Sequence, residues 1–316
     1  MKADGRVLIS SAGILYGSVT IGGNLLSNRG LSAFDISFFF LALSLIPLAP
    51  FAIKRDFFFR IRRYWRYLSV YALANTGLIL LQFESLELGV APAVSALLLY
   101  TQPIWTVIFG RIFFSEGIDR ARVGIIVLAL AGVLLIANPV DIAREFSAKA
   151  SDFYGELAAL AGGVFLSIWI ILGKTGRRLD AFESPAELAF AVRGSTFVFV
   201  GLISLATIAA GTNLFLARPA AIESNLLPLF VFSIIAGSVP DFLFYVGIEK
   251  IQSLHAGVML LLEPVSAAVL SVVLRISTPD LLVVIGGGLI LISNYIANSS
   301  RNSVSTSRKQ ATSVGT

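Results

Sequence analysis

The sequence predicts an all-α polytopic membrane protein: ten transmembrane helices arranged as an inverted repeat of two five-helix units. Three observations carry this expectation. Charge is scarce: 14% of the 316 residues are Asp, Glu, Lys or Arg while 56% are hydrophobic, against about a quarter charged in a soluble globular chain. Mean hydropathy is accordingly high, at +0.86. The apolar residues also gather into long runs separated by short polar, often basic, connectors. Finally, two stretches of the chain repeat one another at a fixed offset.

A span needs about 20 mostly apolar residues to cross about 30 Å of hydrocarbon. That rule places spans near 7–27, 34–53, 67–87, 91–113, 120–138, 154–173, 185–210, 225–247, 253–274 and 279–298. The first follows Lys2 and Arg6 and reads as an uncleaved signal-anchor. Its run from Val7 to Leu26 is too long for a signal-peptide core and ends in Asn28-Arg29-Gly30 with no small-x-small cleavage site. Residues 1–138 make the first unit, 139–153 an extracytoplasmic linker, and 154–298 the second unit. The Ser/Thr-rich stretch 299–316 has too few large apolar residues to fold and reads as a disordered cytoplasmic tail.

Lys and Arg set the orientation. With the N-terminus inside, the cytoplasmic connectors and tail hold 18 of the 24 basic residues, including Lys54, Arg55, Arg60, Arg62, Arg63, Arg66, Arg111, Arg120, Arg122, Lys174, Arg177, Arg178 and Lys250. The other side holds Arg29, Arg144, Lys149, Arg218 and Arg275, and Arg193 falls within a span. The split favours an even number of spans with both termini cytoplasmic, in a multi-pass protein of the cell membrane. The net charge of +5 is spread over loops rather than one stripe, so nucleic acid is not an expected partner. Membrane lipid is.

The repeat is read most clearly in two segments. Ser95-Ala96-Leu97-Leu98-Leu99-Tyr100-Thr101-Gln102-Pro103 aligns with Ala256-Gly257-Val258-Met259-Leu260-Leu261-Leu262-Glu263-Pro264 at a constant offset of 161. Val133-Leu134-Leu135-Ile136 then falls above Leu289-Ile290-Leu291-Ile292, and Gly132 has its counterpart in Gly286-Gly287-Gly288. Five spans per copy, an odd number, means the second copy is inserted upside down. Inverted repeats with proline-interrupted spans place a binding site near the bilayer midplane.

These residues resemble a known family. Ser95–Ile136, with Gln102-Pro103, the Ser115-Glu116 turn and Gly132-Val133, is similar to an EamA domain of the drug/metabolite transporter superfamily. Ser253–Ile292, with Leu262-Glu263-Pro264-Val265, resembles a second copy. The resemblance covers most of the chain and implies a secondary transporter, among relatives that export amino acids and other metabolites. One departure is that Glu116 in the first copy's turn faces Arg275-Ile276-Ser277-Thr278 in the second, so the two turns are not chemically equivalent.

Polar groups inside spans are costly and each needs a reason. Glu263 lies about 15 Å into its span, next to Pro264, which disrupts the bond to the Leu260 carbonyl. Two readings stand: a carboxyl that exchanges a proton during transport, or a protonated structural carboxyl bonded between helices. Asp241 follows Pro240, with Tyr245 one turn on, and is read either as part of the permeation path or as an interfacial acid beside an unwound turn. Arg193 is about 12 Å deep if its span starts at Pro185, and then needs Asp241, Glu263 or a substrate carboxylate; if the span starts near Val192 it snorkels. Tyr16, Thr20 and Asn24 fall at i, i+4, i+8, and Asn75 and Gln82 are seven apart. Tyr16, Asn24, Gln82 and Gln102 are taken as site candidates with Glu263, Asp241, Arg193 and Tyr245, and Asn75 as helix glue. Pro103, Pro240 and Pro264 are the expected kinks. His255, on the Met259–Glu263 face, reads as an interface histidine, and Gly13 with Gly17 as a close-packing pair.

The residue inventory excludes several chemistries. With no cysteine and a single histidine, thiol catalysis, disulfides and multi-His metal sites are not expected, and there is no cofactor motif. No GxxxxGK[ST] occurs, so ATP hydrolysis on this chain is not expected, and Gly286–Gly288 lacks the strand-to-helix turn of a phosphate cradle. No His/Asp/Glu cluster supports a membrane enzyme. The expected function is secondary active transport, as an exporter working by alternating access, of a small polar metabolite such as an amino acid. Protons are the candidate coupling ion, and the protein acts as a monomer or homodimer. An uncoupled facilitator or channel-like permease, a membrane-embedded enzyme and a structural subunit are the alternatives.

Overall fold

The computed structural model describes residues 4–52, 54, 56–88, 90, 92–140, 153–212, 215, 219–276 and 281–299. Most of the linker, the tail beyond Ser299 and the side chain of Gln82 lie outside the described residues. Every regular element described is helical. Seven helical segments are long and apolar enough to cross a membrane, and Leu281–Ala297 is a shorter apolar one. The chain is a multi-pass membrane protein.

Helix α1 spans Gly5–Ser27, started by the Asp4 side chain, which accepts from the Arg6 N–H; α2 spans Ala33–Ala52. Next comes α3, Phe57–Arg63, which hydropathy alone does not predict. α4 is Trp65–Glu87. The expected span 91–113 is two helices, α5 at Pro92–Leu99 and α6 at Gln102–Phe114. α7 is Arg120–Ile136. α8, Phe153–Arg178, runs five residues past the expected end at 173. α9 is Pro185–Ala209, and α10, Pro219–Ser233, passes through a π-helical turn at Ile234–Ser238 into α11, Val239–Ile248. The expected span 253–274 is again two helices, α12 at Ser253–Leu260 and α13 at Leu262–Val273. α14 is Leu281–Ser299.

The two broken segments share a cause. Proline lacks an N–H and its ring crowds the carbonyl four residues back. Pro103 therefore acts on Leu99 and Pro264 on Leu260, which are the last residues of α5 and α12. Both breaks fall where the sequence put a kink. Pro240 acts differently: it sits in the first turn of α11, directly after the wide π-turn.

Packing partners exchange along the chain. α1 lies against α11, α12 and α13, while α8 lies against α4, α5 and α6; α2 packs on α9 and α7 on α14. Glycines permit the closest approaches, since helix association in lipid relies on shape rather than hydrophobic drive. A Cβ on Gly132 would stand 2.6 Å from the Gly286 carbonyl, and one on Gly286 2.5 Å from the Gly132 carbonyl. Of the expected triplet only Gly286 is this tight; Gly288 has open space around it. Gly286→Ala is expected to lower stability by about 1–3 kcal/mol through overpacking against backbone, while Gly288→Ala leaves it unchanged or raises it. Thermal unfolding of the two variants in detergent checks this.

Candidate functional site

A buried polar cluster forms where α1, α2, α9 and α11 meet. The π-turn makes room for it: its Gly237 faces the Arg193 guanidinium, and a Cβ there would come within 3.1 Å of Nη1. Ser238, closing the turn, donates to the Ser44 carbonyl at 2.7 Å. π-turns inside helices recur at functional sites.

α9 starts at Pro185, so Arg193 lies about 12 Å along it and is only 5% exposed. Its Nε donates to Asp241 Oδ2 at 2.6 Å and its Nη1 to Ser44 Oγ at 3.0 Å. The guanidinium also lies 5.0 Å from the Phe40 ring centre. Asp241, 4% exposed, accepts at its other oxygen from the Tyr16 hydroxyl at 2.6 Å. Both charges are thus taken out of water and neutralised by one another, the condition that makes burial tolerable.

Aromatic side chains wall the pair. Trp169 of α8 stacks on Phe244 at 4.3 Å and meets Tyr16 edge-on at 6.3 Å. Tyr245 and Tyr71, both fully buried, share a hydrogen bond of 2.8 Å. A fixed guanidinium can receive a carboxylate in fork geometry, the aspartate can receive an ammonium, and the rings can face a cation.

Glu263 sits apart from this cluster but next to it along α1. Its carbonyl is 2.7 Å from where a Cβ on Gly17 would be, one residue beyond Tyr16. Its carboxyl lies within electrostatic reach of the Tyr100 hydroxyl, and Tyr100 is buried at the end of α5. Tyr100 belongs to the first break and Glu263 to the second.

The other candidates lie elsewhere. Gln102 is buried, donates to the Gly257 carbonyl at 2.7 Å and accepts from Thr106 at 2.9 Å, so it ties α6 to α12. Asn24 is exposed and accepts from Asn28 at 3.0 Å. A four-residue step rotates about 40° around a helix, which carries Thr20 and Asn24 away from the face that Tyr16 turns to Asp241. Asn75 donates to Thr196 at 3.2 Å, joining α4 to α9. His255 is buried on α12.

Sequence reasoning missed two further groups, both at the basic end of the bundle. Lys174, 1% exposed on α8, donates to Glu116 at 2.5 Å, to the Ile251 carbonyl at 2.7 Å and to Ser253 Oγ at 3.3 Å. Glu116 in turn accepts from the Ser253 backbone N–H at 2.9 Å, capping α12. Arg60 of α3 donates to Glu187 at 2.6 Å and Glu183 at 2.8 Å. Glu187 is fully buried and also accepts from the Glu183 N–H at 2.9 Å. The Ser184–Glu187 spacing is that of a capping box, with Ser184 accepting from the Glu187 N–H, and was a readable signal for this anchor. Lys54 and then Arg60 hold the exposed Glu183 carboxyl below its ordinary range. Its contribution is therefore complete above the usual glutamate pKa and fades as pH falls through the lowered value.

Comparison with known proteins fits this architecture. A crystal structure in which the match covers 98% of the chain superposes on 94% of this one with a TM-score of 0.75 at 18% identity, a likeness of fold. An uncharacterized transporter of Clostridium kluyveri is 23% identical over 314 residues, covering 97% of each chain. One of Archaeoglobus fulgidus is 26% identical over 210 residues, covering 66% of this chain and 69% of its own. The profile of the EamA-like transporter family matches residues 4–138 and 153–299. Matched over most of its length, this chain belongs to the EamA-like transporter family.

Proposed function

We propose that the protein is a secondary active transporter that exports a small polar metabolite carrying both a carboxylate and an amine, an amino acid or similar, by alternating access. The observation that carries this reading is the buried Arg193–Asp241 pair, lodged between helices of both halves and walled by aromatic rings. A substrate with both charges would find a partner for each, with Arg193 taking its carboxylate and Asp241 its amine. Tyr16 and Tyr245 line the same site. Pro240 and the π-turn supply irregular backbone next to the charges, as transporter sites do.

The frame is ten spans in two inverted five-helix units, residues 1–138 and 154–298. Supporting it, α1 and α8 each pack against the third and fourth segments of the other unit, while second packs on second and fifth on fifth. The basic end faces the cytoplasm with both termini, in the cell membrane. Lys174–Glu116 and Arg60–Glu187 link the two units at that end, so this arrangement is closed toward the cytoplasm, and rocking of the units must break both links.

Protons are the coupling ion in this reading, carried by Glu263, which sits beside the site at the second break. Counterflow and substrate-driven proton flux in proteoliposomes, screened over a panel of amino acids, test both parts. Wild-type protein is expected to show both signals for the same compound. Glu263→Gln is expected to keep counterflow while losing its substrate-driven proton flux, since an amide cannot carry the proton that an intramembrane carboxyl can. Undiminished proton flux in Glu263→Gln would overturn the coupling role, and absence of counterflow across the panel would overturn the proposed substrate class.

A further inference from the structure

We infer that the connector formed by α3 and the start of α4 is a docking site for the headgroup of an anionic phospholipid. α3 has two faces of different chemistry. At 100° per residue, Phe57, Arg60 and Ile61 share one side and Phe58, Phe59, Arg62 and Arg63 the other. The first side is held by the protein: Phe57 is 1% exposed against Phe190, and Arg60 grips Glu187 and Glu183. The second faces outward, with Phe58 70% and Phe59 66% exposed, joined by Trp65 at 57%. Arg62, Arg63 and Arg66 are exposed on the same stretch.

Charge and shape together select the occupant. Among the described residues no carboxylate pairs with Arg62, Arg63 or Arg66. Arg63 and Arg66 instead lie over the neighbouring Tyr64 and Trp65 rings, at 5.6 and 5.5 Å. Asp56 stands at the far end of α3, about two turns away. Three uncompensated guanidiniums suit a phosphodiester, which they bind in fork geometry. Outward phenylalanines beside them suit acyl chains, which a soluble phosphate does not offer, and the exposed Trp65 at the start of α4 carries an indole, a ring that favours membrane interfaces. Arg60 fixes the helix to the opposite unit, so the backbone that carries the guanidiniums is already ordered and only their side chains are immobilised at binding. The site draws on the membrane location of the chain and is independent of the transport reading.

Native mass spectrometry of the full chain in detergent, titrated with phosphatidylglycerol or phosphatidylcholine, tests this. Wild-type protein is expected to retain phosphatidylglycerol preferentially. The triple variant Arg62→Ala/Arg63→Ala/Arg66→Ala is expected to lose about 10- to 100-fold in affinity for it, from the usual contribution of each juxtamembrane basic residue. The triple lysine variant should lose less, since it keeps charge without the fork. Arg111→Ala/Arg120→Ala, which removes two other exposed charges from the same end, is expected to change affinity less than threefold. An equal loss in that control would assign the preference to diffuse surface charge and overturn the site. So would equal retention of both lipids by wild type, or displacement of phosphatidylglycerol by millimolar inorganic phosphate.

Discussion

Asp241→Asn is expected to be among the most damaging single substitutions in this protein, lowering stability by about 3–5 kcal/mol because it leaves the Arg193 guanidinium buried without its counter-charge. Asparagine keeps the shape and still accepts from Tyr16, so the loss isolates charge from packing. The second arm is the double variant Arg193→Met/Asp241→Leu. Replacing a buried ion pair by apolar groups of similar volume is often neutral or stabilising, so this variant should recover most of the lost stability. It should not recover transport. Loss of one partner of a buried charge pair costs about 2–5 kcal/mol in binding, which is at least about 30-fold in affinity. Thermal unfolding in detergent reads the first quantity and substrate-induced stabilisation of the same samples reads the second. If the double variant still binds and exchanges substrate, the pair is structural and the site lies elsewhere.

The fold was legible because lipid imposes a length and a rule about charge. Apolar runs of about 20 residues located the long helices, and Pro103 and Pro264 located both breaks to within a turn. The site was legible only in part, for a physical reason. In a soluble helix the buried face is apolar and the exposed face polar, which gives a periodic signal. In lipid both faces are apolar, so the sequence does not say which helix meets which. Arg193, Asp241 and Tyr16 stood out because polarity there is expensive, yet Ser44, which accepts from Arg193, and the wall of Trp169, Tyr71 and Phe244 did not. The spacing that grouped Asn24 with Tyr16 leaves out the drift of the helix, and Asn24 lies at an exposed position. α3, at seven residues, is too short for a periodic pattern to rise above noise, and its arginines were read only as orientation charges. Lys174 was missed for a related reason: it stands three residues before Arg177-Arg178 and was counted with a solvated loop, although α8 continues to Arg178 and buries it.

That burial makes Lys174 the second decisive position. Lys174→Met is expected to open the basic end of the bundle. Its ammonium is the hub for Glu116, the Ile251 carbonyl and Ser253, and methionine is close to it in volume but donates nothing. Glu116, with a side chain 11% exposed, would keep its bonds from Ser253 but lose its counter-charge, and the Ile251 carbonyl would lose the lysine's hydrogen bond. Breaking such a pair from one side costs about 3–5 kcal/mol, and in the two-unit arrangement proposed above the cost falls on the state joined at this end. If that joined state is what rocking must disrupt, its loss shifts the balance between conformations rather than merely weakening the fold. A cysteine introduced at Gln252, beside the latch in a chain with no native cysteine, should then react at least about tenfold faster with a membrane-impermeant maleimide, since 1.4 kcal/mol already amounts to tenfold in population. Lys174→Met/Glu116→Leu separates the two possibilities. A latch predicts that the double variant regains thermal stability but stays fast to label, because the units are no longer tied. Recovery of both stability and slow labelling would reduce the pair to a structural contact, and alternating access would then need another lock at this end.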